Sequence, residues 1–361
     1  MNNRTSKREI LLPLQGIRAI AFLGIFAAHS SVFSLGEWGV SIFFVLSGFL
    51  MVYSYYDKTI EFDLRSSICF AAKKITKLYP LHLFMTVLLI LLAVVGKSIS
   101  NTEHLAVKIL SQVTLIQVWF PHSNYYFSLN GVAWYLAVTA ALYAIFPVLL
   151  KWIQKFRTAV EAVRCIGATF LLQIVIGFVG GMIIVPEIIS DNFVKWLTYV
   201  CPLYRLGDFL IGCCLGYLFL HSKPSNQTIK ATIVELAAVL ANLLAVMVFI
   251  RSYGTRFGEC YRYCTLYTLP SVWTIYTFAK GKGLLSKILA LKPALYLGNL
   301  SAYTFLIHHV VIKLLKCPLS NVIGNKVVSA FLMLVITVLI SECYRYVENK
   351  CKSFGKISIP E

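Results

Sequence analysis

Apolar runs long enough to cross a bilayer recur from one end of the chain to the other, separated by short polar segments. The pattern predicts spans near 10–31, 38–56, 79–96, 131–151, 164–185, 199–220, 231–250, 263–280, 294–314 and 326–347. The region 104–120 is shorter and only semi-apolar, which predicts an amphipathic or re-entrant piece, and 57–78 reads as a basic loop. The expected fold is an all-α integral membrane protein, a bundle of about ten transmembrane helices in a single domain over 1–361. The first apolar run lacks a small-residue cleavage site, so it reads as a retained helix and not as a signal peptide. No soluble domain is expected at either terminus.

Composition agrees with that pattern. The chain is 58% hydrophobic and 13% charged, against about 25% charged for a soluble domain. A net charge of +18 would suggest nucleic acid in a soluble protein. Here it reads as topology, because cytoplasmic loops of membrane proteins collect Lys and Arg. With the N-terminus inside, the cytoplasmic segments hold Arg4, Lys7 and Arg8, the 73–77 lysines, Lys151 to Arg164, Lys223 and Lys230, Lys280 to Lys292, and Arg345 to Lys356. Fewer basic residues fall outside, among them Lys97, Lys108, Lys195, Arg262, Lys313 and Lys316. This bias predicts both termini in the cytoplasm and a multi-pass protein of the inner (cytoplasmic) cell membrane, in contact with membrane lipids and with no nucleic-acid partner. Of the ten cysteines, Cys213 and Cys214 lie in apolar spans as small hydrophobes. Cys260 and Cys264 lack metal-ligand spacing. A disulfide between them stays open.

Two ionisable residues share the first span. Arg18 and His29 are eleven steps apart in LQGIRAIAFLGIFAAHS, which brings them to within about 20° of one helical face and roughly 16 Å apart along its axis. Such groups inside an apolar span point to function. Snorkelling of the Arg to headgroups and an interhelical bond from the His are the structural alternatives.

Several segments, taken in order, resemble the acyltransferase 3 family of integral membrane acyltransferases. LQGIRAIAFLGIFAAHS matches that family's Arg-X10-His signature, and GVSIFFVLSGFLM at 39–51 its second-helix motif. KKITKLYPLH at 73–82 stands in place of its basic segment. SLNGVAWYLAVTAALYAIFP at 128–147, YRLGDFLIGCCLG at 204–216, LGNLSAYTFLIHHVVI at 297–312 and YRYVENK at 344–350 follow in sequence. The resemblance implies an O-acyltransferase that moves an acyl group, commonly acetyl, from cytoplasmic acyl-CoA to a hydroxyl of an envelope carbohydrate or lipid-linked saccharide. Acyl-CoA is then a co-substrate, and no resident cofactor is implied. The chain departs from the family at Lys74 and Lys77, where Arg is frequent, at Thr139, where many members carry Glu, and at Asp208, where Glu is common. Lys attracts phosphate but lacks the planar fork of Arg.

Acyl transfer to an alcohol needs a group to take the hydroxyl proton, stabilisation of the carbonyl oxygen, and a hold on the anionic donor. His29 suits the first task, as a base or as a covalent acyl carrier. His308 matches the family's ninth-helix His and is the second catalytic candidate, with an interhelical bond as the more ordinary reading. No HxxxH or HExxH spacing accompanies either, so no metal site is expected. Arg18, Lys73, Lys74 and Lys77 are candidate acyl-CoA ligands, the lysines being equally at home as positive-inside charge. Ser47, Asn130, Trp134, Arg205 and Asp208 are candidates for an acceptor site or cavity. Arg205 and Asp208, three apart, can also pair structurally, and Ser47 with Gly48 can allow close helix approach.

A second reading is a polysaccharide or small-solute exporter, a divergent family member without catalysis. Polar groups inside a bundle serve transport equally well, but no internal repeat of the transporter kind is evident.

Overall fold

The computed structural model describes residues 8–95, 104–180, 191–222 and 228–357. Among them no strand occurs. The helices are α1 (Leu12–His29), α2 (Gly36–Tyr55), α3 (Leu64–Ile75), α4 (Tyr79–Val95), α5 (Leu105–Val113), α6 (Ser123–Tyr126), α7 (Trp134–Ile153) and α8 (Ala159–Phe178). They continue with α9 (Asp191–Lys195), α10 (Pro202–Leu220), α11 (Thr228–Ser252), α12 (Arg256–Tyr261), α13 (Thr265–Lys280), α14 (Leu284–Leu289), α15 (Lys292–Ile323) and α16 (Lys326–Ile357).

Each of the ten predicted spans coincides with a helix. Eight helices are long and apolar enough to cross a membrane, and the bent pair Leu64–Ile75 and Tyr79–Leu92 supplies a ninth. The expected span at 263–280 is the 16-residue α13, interrupted by Pro270. At 1.5 Å per residue it reaches about 24 Å, short of a hydrocarbon core of roughly 30 Å. The expected loop at 57–78 is also corrected, because most of it is α3. Asp63 caps that helix through the amides of Arg65 and Ser66. These bonds, with the Ser66 side chain foremost, lower the Asp63 pKa. A 68° bend then turns the chain into α4. The semi-apolar stretch 104–120 is α5 followed by a single 3-10 turn at Gln117–Trp119. Residues 96 and 181–185 of the predicted spans, and Arg4, Lys7, Lys97 and Lys223 of the charge pattern, lie outside the described residues.

The centre of the bundle is built from α1, α2, α7, α10 and α15, around Phe22, Phe44, Val138, Phe209 and Leu306. Two glycines let α2 and α10 touch backbone to backbone. A Cβ on Gly48 would lie 2.0 Å from the Phe209 carbonyl oxygen, and one on Gly212 2.0 Å from that of Val45. Close approach of this kind maximises dispersion contacts where lipid removes the hydrophobic drive between helices. At the periphery, Leu171 and Leu172 of α8 and Leu240, Leu243 and Leu244 of α11 are exposed. Hydrocarbon, not water, is the solvent that accepts such a surface. No disulfide joins Cys260 and Cys264.

Candidate active site

The last turn of α1 carries His29 against α15. His29 Nδ1 lies 2.8 Å from His308 Nε2. On its other edge, His308 Nδ1 is 2.7 Å from the Phe305 carbonyl oxygen and 3.2 Å from that of Thr304. A carbonyl oxygen only accepts, so His308 Nδ1 carries a hydrogen. In a neutral His308 the facing Nε2 then holds the lone pair and accepts from His29 Nδ1–H. That assignment leaves the lone pair of His29 on Nε2. His308 is fully buried among Phe22, Phe26 and Phe305. It lines neither chamber, and its hydrogen bond can orient His29 and set its tautomer.

His29 lines a chamber of about 480 Å³ together with Glu37, Trp134, Lys195, Tyr199, His309 and Phe127. Aromatic faces, a few polar groups and this volume suit a small organic ligand such as a sugar. Trp134 packs on Tyr199 at 4.7 Å between ring centroids. Lys195 lies over the Phe127 ring. Among the described residues the Glu37 carboxylate makes no ion pair, although it shares the chamber with Lys195; its hydrogen-bond partner is its own backbone amide.

Arg18 lies in a different chamber. With Lys74, Tyr135, Thr139, Tyr143 and Ser301 it lines a cavity of about 140 Å³. Two cations and no carboxylate line this space, a lining that suits an anionic or carbonyl-bearing group. It is too small for a whole dinucleotide-sized ligand and fits a slender arm or one phosphate. Lys74 Nζ is 2.5 Å from the Tyr55 hydroxyl and sits over that ring. Lys73 is exposed, and Lys77 lies over the Tyr303 ring outside the cavity.

The two chambers have no lining residue in common. Between Arg18 and the histidines stand Phe43, Tyr135 and Phe305. Their ring centroids are 6.0 Å (Phe43–Tyr135), 6.4 Å (Phe43–Phe305) and 5.1 Å (Tyr135–Phe305) apart, and Phe305 is 5.7 Å from His308. The arginine and histidine of the first span thus share a helix but line separate chambers.

The other candidates divide. Ser47 bonds the Tyr143 hydroxyl at 3.0 Å, at the edge of the Arg18 chamber. Asn130 is buried and holds α15 through the Leu306 carbonyl, while its own carbonyl accepts from Gln112. It lines neither chamber. Arg205 and Asp208 form a fully buried ion pair at 2.8 Å. Arg205 also donates to the carbonyls of Tyr199 and Tyr263, and Asp208 accepts from Thr268, Gln173 and Cys264. With that many partners the pair is a structural knot tying α10 to α8 and α13, and it borders neither chamber.

Comparison with known proteins agrees with the residue pattern. The model of a family described as an acyltransferase domain, acyltransferase 3, matches residues 13–343. The chain belongs to this acyltransferase family. It is 25% identical over 376 residues to the peptidoglycan O-acetyltransferase OatA of Listeria monocytogenes, covering 97% of this chain and 57% of that one. It is 24% identical over 362 residues to the O-acetyltransferase OatA of Staphylococcus aureus, covering 95% and 57% respectively. The acyltransferase MdmB of Streptomyces mycarofaciens is 28% identical over 167 residues, 41% of each chain. The chain spans little more than half the length of the OatA relatives. No solved structure matches.

Sequence reasoning about this family member missed Glu37, Lys195, Tyr199 and His309. Lys195 and Tyr199 sit in the segment leading into α10, and His309 beside the motif histidine. Glu37 opens α2 in GEWGV, where a lone carboxylate before an apolar run also reads as an ordinary first-turn residue. Only its place in the wall of the His29 chamber distinguishes it.

Proposed function

We propose that this acyltransferase moves an acyl group, most simply acetyl, from acyl-CoA to a hydroxyl of a cell-wall glycan. The single observation behind the chemistry is the His308–His29 relay at 2.8 Å, which leaves an imidazole lone pair in a sugar-sized chamber. The acceptor hydroxyl gives its proton to His29 Nε2 as its oxygen attacks the thioester carbonyl. The tetrahedral intermediate collapses, the C–S bond breaks, and the departing thiolate takes the proton back from His29.

The charge bias along the chain favours a cytoplasmic N-terminus in the inner cell membrane, so the Arg18 chamber faces inward and the His29 chamber outward. Arg18 and Lys74 then meet the anionic or carbonyl groups of the donor's slender arm. The thioester has to pass the Phe43, Tyr135 and Phe305 rings to reach His29, so donor binding includes displacement of at least one of them. The acceptor reading draws support from the OatA relatives, one of which is named for peptidoglycan.

An exporter would also fit two chambers divided by a thin layer. The oriented histidine pair favours chemistry, because transport needs no fixed tautomer. The deciding experiment compares envelope glycan by mass spectrometry in cells with the intact chain, with His29→Ala, and without it. The expected result is a one-acetyl mass increment only with the intact chain. Equal increments in all three at matched protein levels reject the proposal, and failure of the purified protein to bind radiolabelled acetyl-CoA returns the exporter reading.

A further inference from the structure

A further cavity, larger than either chamber, lies apart from Arg18. An apolar groove of about 1010 Å³ runs between α1, α2, α11, α13 and α14, lined by Ile20, Trp38, Val239, Leu243, Phe278 and Ile288 among others. From Ile17 to Ser31 it follows α1 and its cap for about 20 Å. No charged side chain lines it. Its one buried polar cluster is already satisfied, since Asn242 accepts from Trp38 Nε1 at 2.7 Å and donates to Thr274 at 2.7 Å. Nothing along its length asks for a polar ligand.

Two features make this groove more than a stretch of lipid-facing surface. It shares Ala28 and Ser34 with the His29 chamber, so the two spaces meet at the end of α1. At that same end Ser31 accepts a 2.7 Å hydrogen bond from the ammonium of Lys316, which is exposed and makes no ion pair among the described residues. Lys316 thus stands at the end of the hydrocarbon groove that adjoins the sugar-sized chamber.

We propose that the groove binds the hydrocarbon chain of a lipid-linked saccharide, with its phosphate at Lys316 and its sugar beside His29. The acceptor is thus acylated while still on its lipid carrier. A bulk phospholipid would match the tail and the phosphate but leave the chamber without its sugar. This inference rests on the glycan-acceptor reading above and narrows it.

The test uses the full chain in nanodiscs with acetyl-CoA and one disaccharide, supplied either on a polyisoprenyl diphosphate or free in solution. The expected KM is at least about tenfold lower for the linked form. Val239→Trp and Leu243→Trp, at outward positions of α11, fill the groove. They are expected to raise the KM for the linked acceptor by about tenfold and leave the free one unchanged. Lys316→Ala shifts it in the same direction and Lys316→Arg restores it. Melting temperatures of the variants verify folding. Equal KM values for both acceptors in the unmodified chain overturn the inference while leaving the glycan reading intact. So does a preference for long-chain acyl-CoA that Leu243→Trp abolishes, which would give the groove to the donor. No transfer to either acceptor, with acetyl-CoA bound, removes the acceptor reading and the groove assignment with it.

Discussion

Trp134 and Tyr135 are neighbours in sequence, yet Trp134 lines the chamber of His29 and Tyr135 lines that of Arg18. One step of α7 therefore crosses the barrier between the two spaces. The rings of Tyr135, Phe43 and Phe305 pack against one another on the Arg18 side of that step.

Thinning this layer of rings is expected to uncouple donor from acceptor. Tyr135→Ala or Phe305→Ala opens a path for water toward a bound thioester, so release of free thiol from acetyl-CoA without acceptor rises several-fold. Tyr135→Phe keeps the ring and leaves the rate near that of the unmodified chain. Thiol titration reads the effect, and an unaltered background rate in both alanine variants argues that the layer is not the barrier.

His29 and His308 are expected to separate into base and positioning residue. His29→Ala removes the proton acceptor and lowers kcat by about 10²–10⁴. His308→Ala leaves the His29 tautomer unset and lowers kcat with acetyl-CoA binding unchanged. His308→Gln can still offer a carbonyl oxygen to His29 Nδ1–H, so it recovers part of that loss. Equal activity of the Ala and Gln variants at position 308 would remove the orienting role.

Glu37 lines the chamber of His29 and makes no ion pair among the described residues, and a sugar hydroxyl is a donor of the right kind for its carboxylate. Glu37→Gln retains shape and some acceptor capacity but weakens a charge-assisted hydrogen bond. The expected outcome is an acceptor KM raised by about tenfold with kcat changed little. A fall in kcat alone, with KM constant, would instead place Glu37 in the proton transfer.

The Arg205–Asp208 knot carries stability. Asp208→Ala leaves a buried guanidinium without its carboxylate, a change that destabilises by about 3–5 kcal/mol in such settings. A lowered melting temperature and yield in detergent is expected, with unchanged KM for both substrates in the surviving folded fraction. A stable variant with altered KM would move Asp208 from scaffold to binding site.

Much of the architecture was legible in the sequence, because apolar length is a local property. Runs such as 38–56 and 326–347 announce helices whatever surrounds them, since a backbone in lipid must satisfy its own hydrogen bonds. The Arg-X10-His motif likewise announced an ionisable face on α1. The helical state of α3 was less legible. Its basic residues read as loop charge, whereas the Asp63 cap and packing on α7 hold it as a helix.

Local pattern determined which segments are helical and which family the chain belongs to, and it marked the ionisable pair of the first span as candidates for chemistry. The tertiary structure alone decided that Arg18 and His29 occupy different chambers, that His308 stands behind His29, and that Glu37 joins them. The physical reason is that a shared helical face sets only direction. What fills the space in front of that face comes from α2, α7 and α15, whose rings are remote in sequence and meet only when the bundle packs.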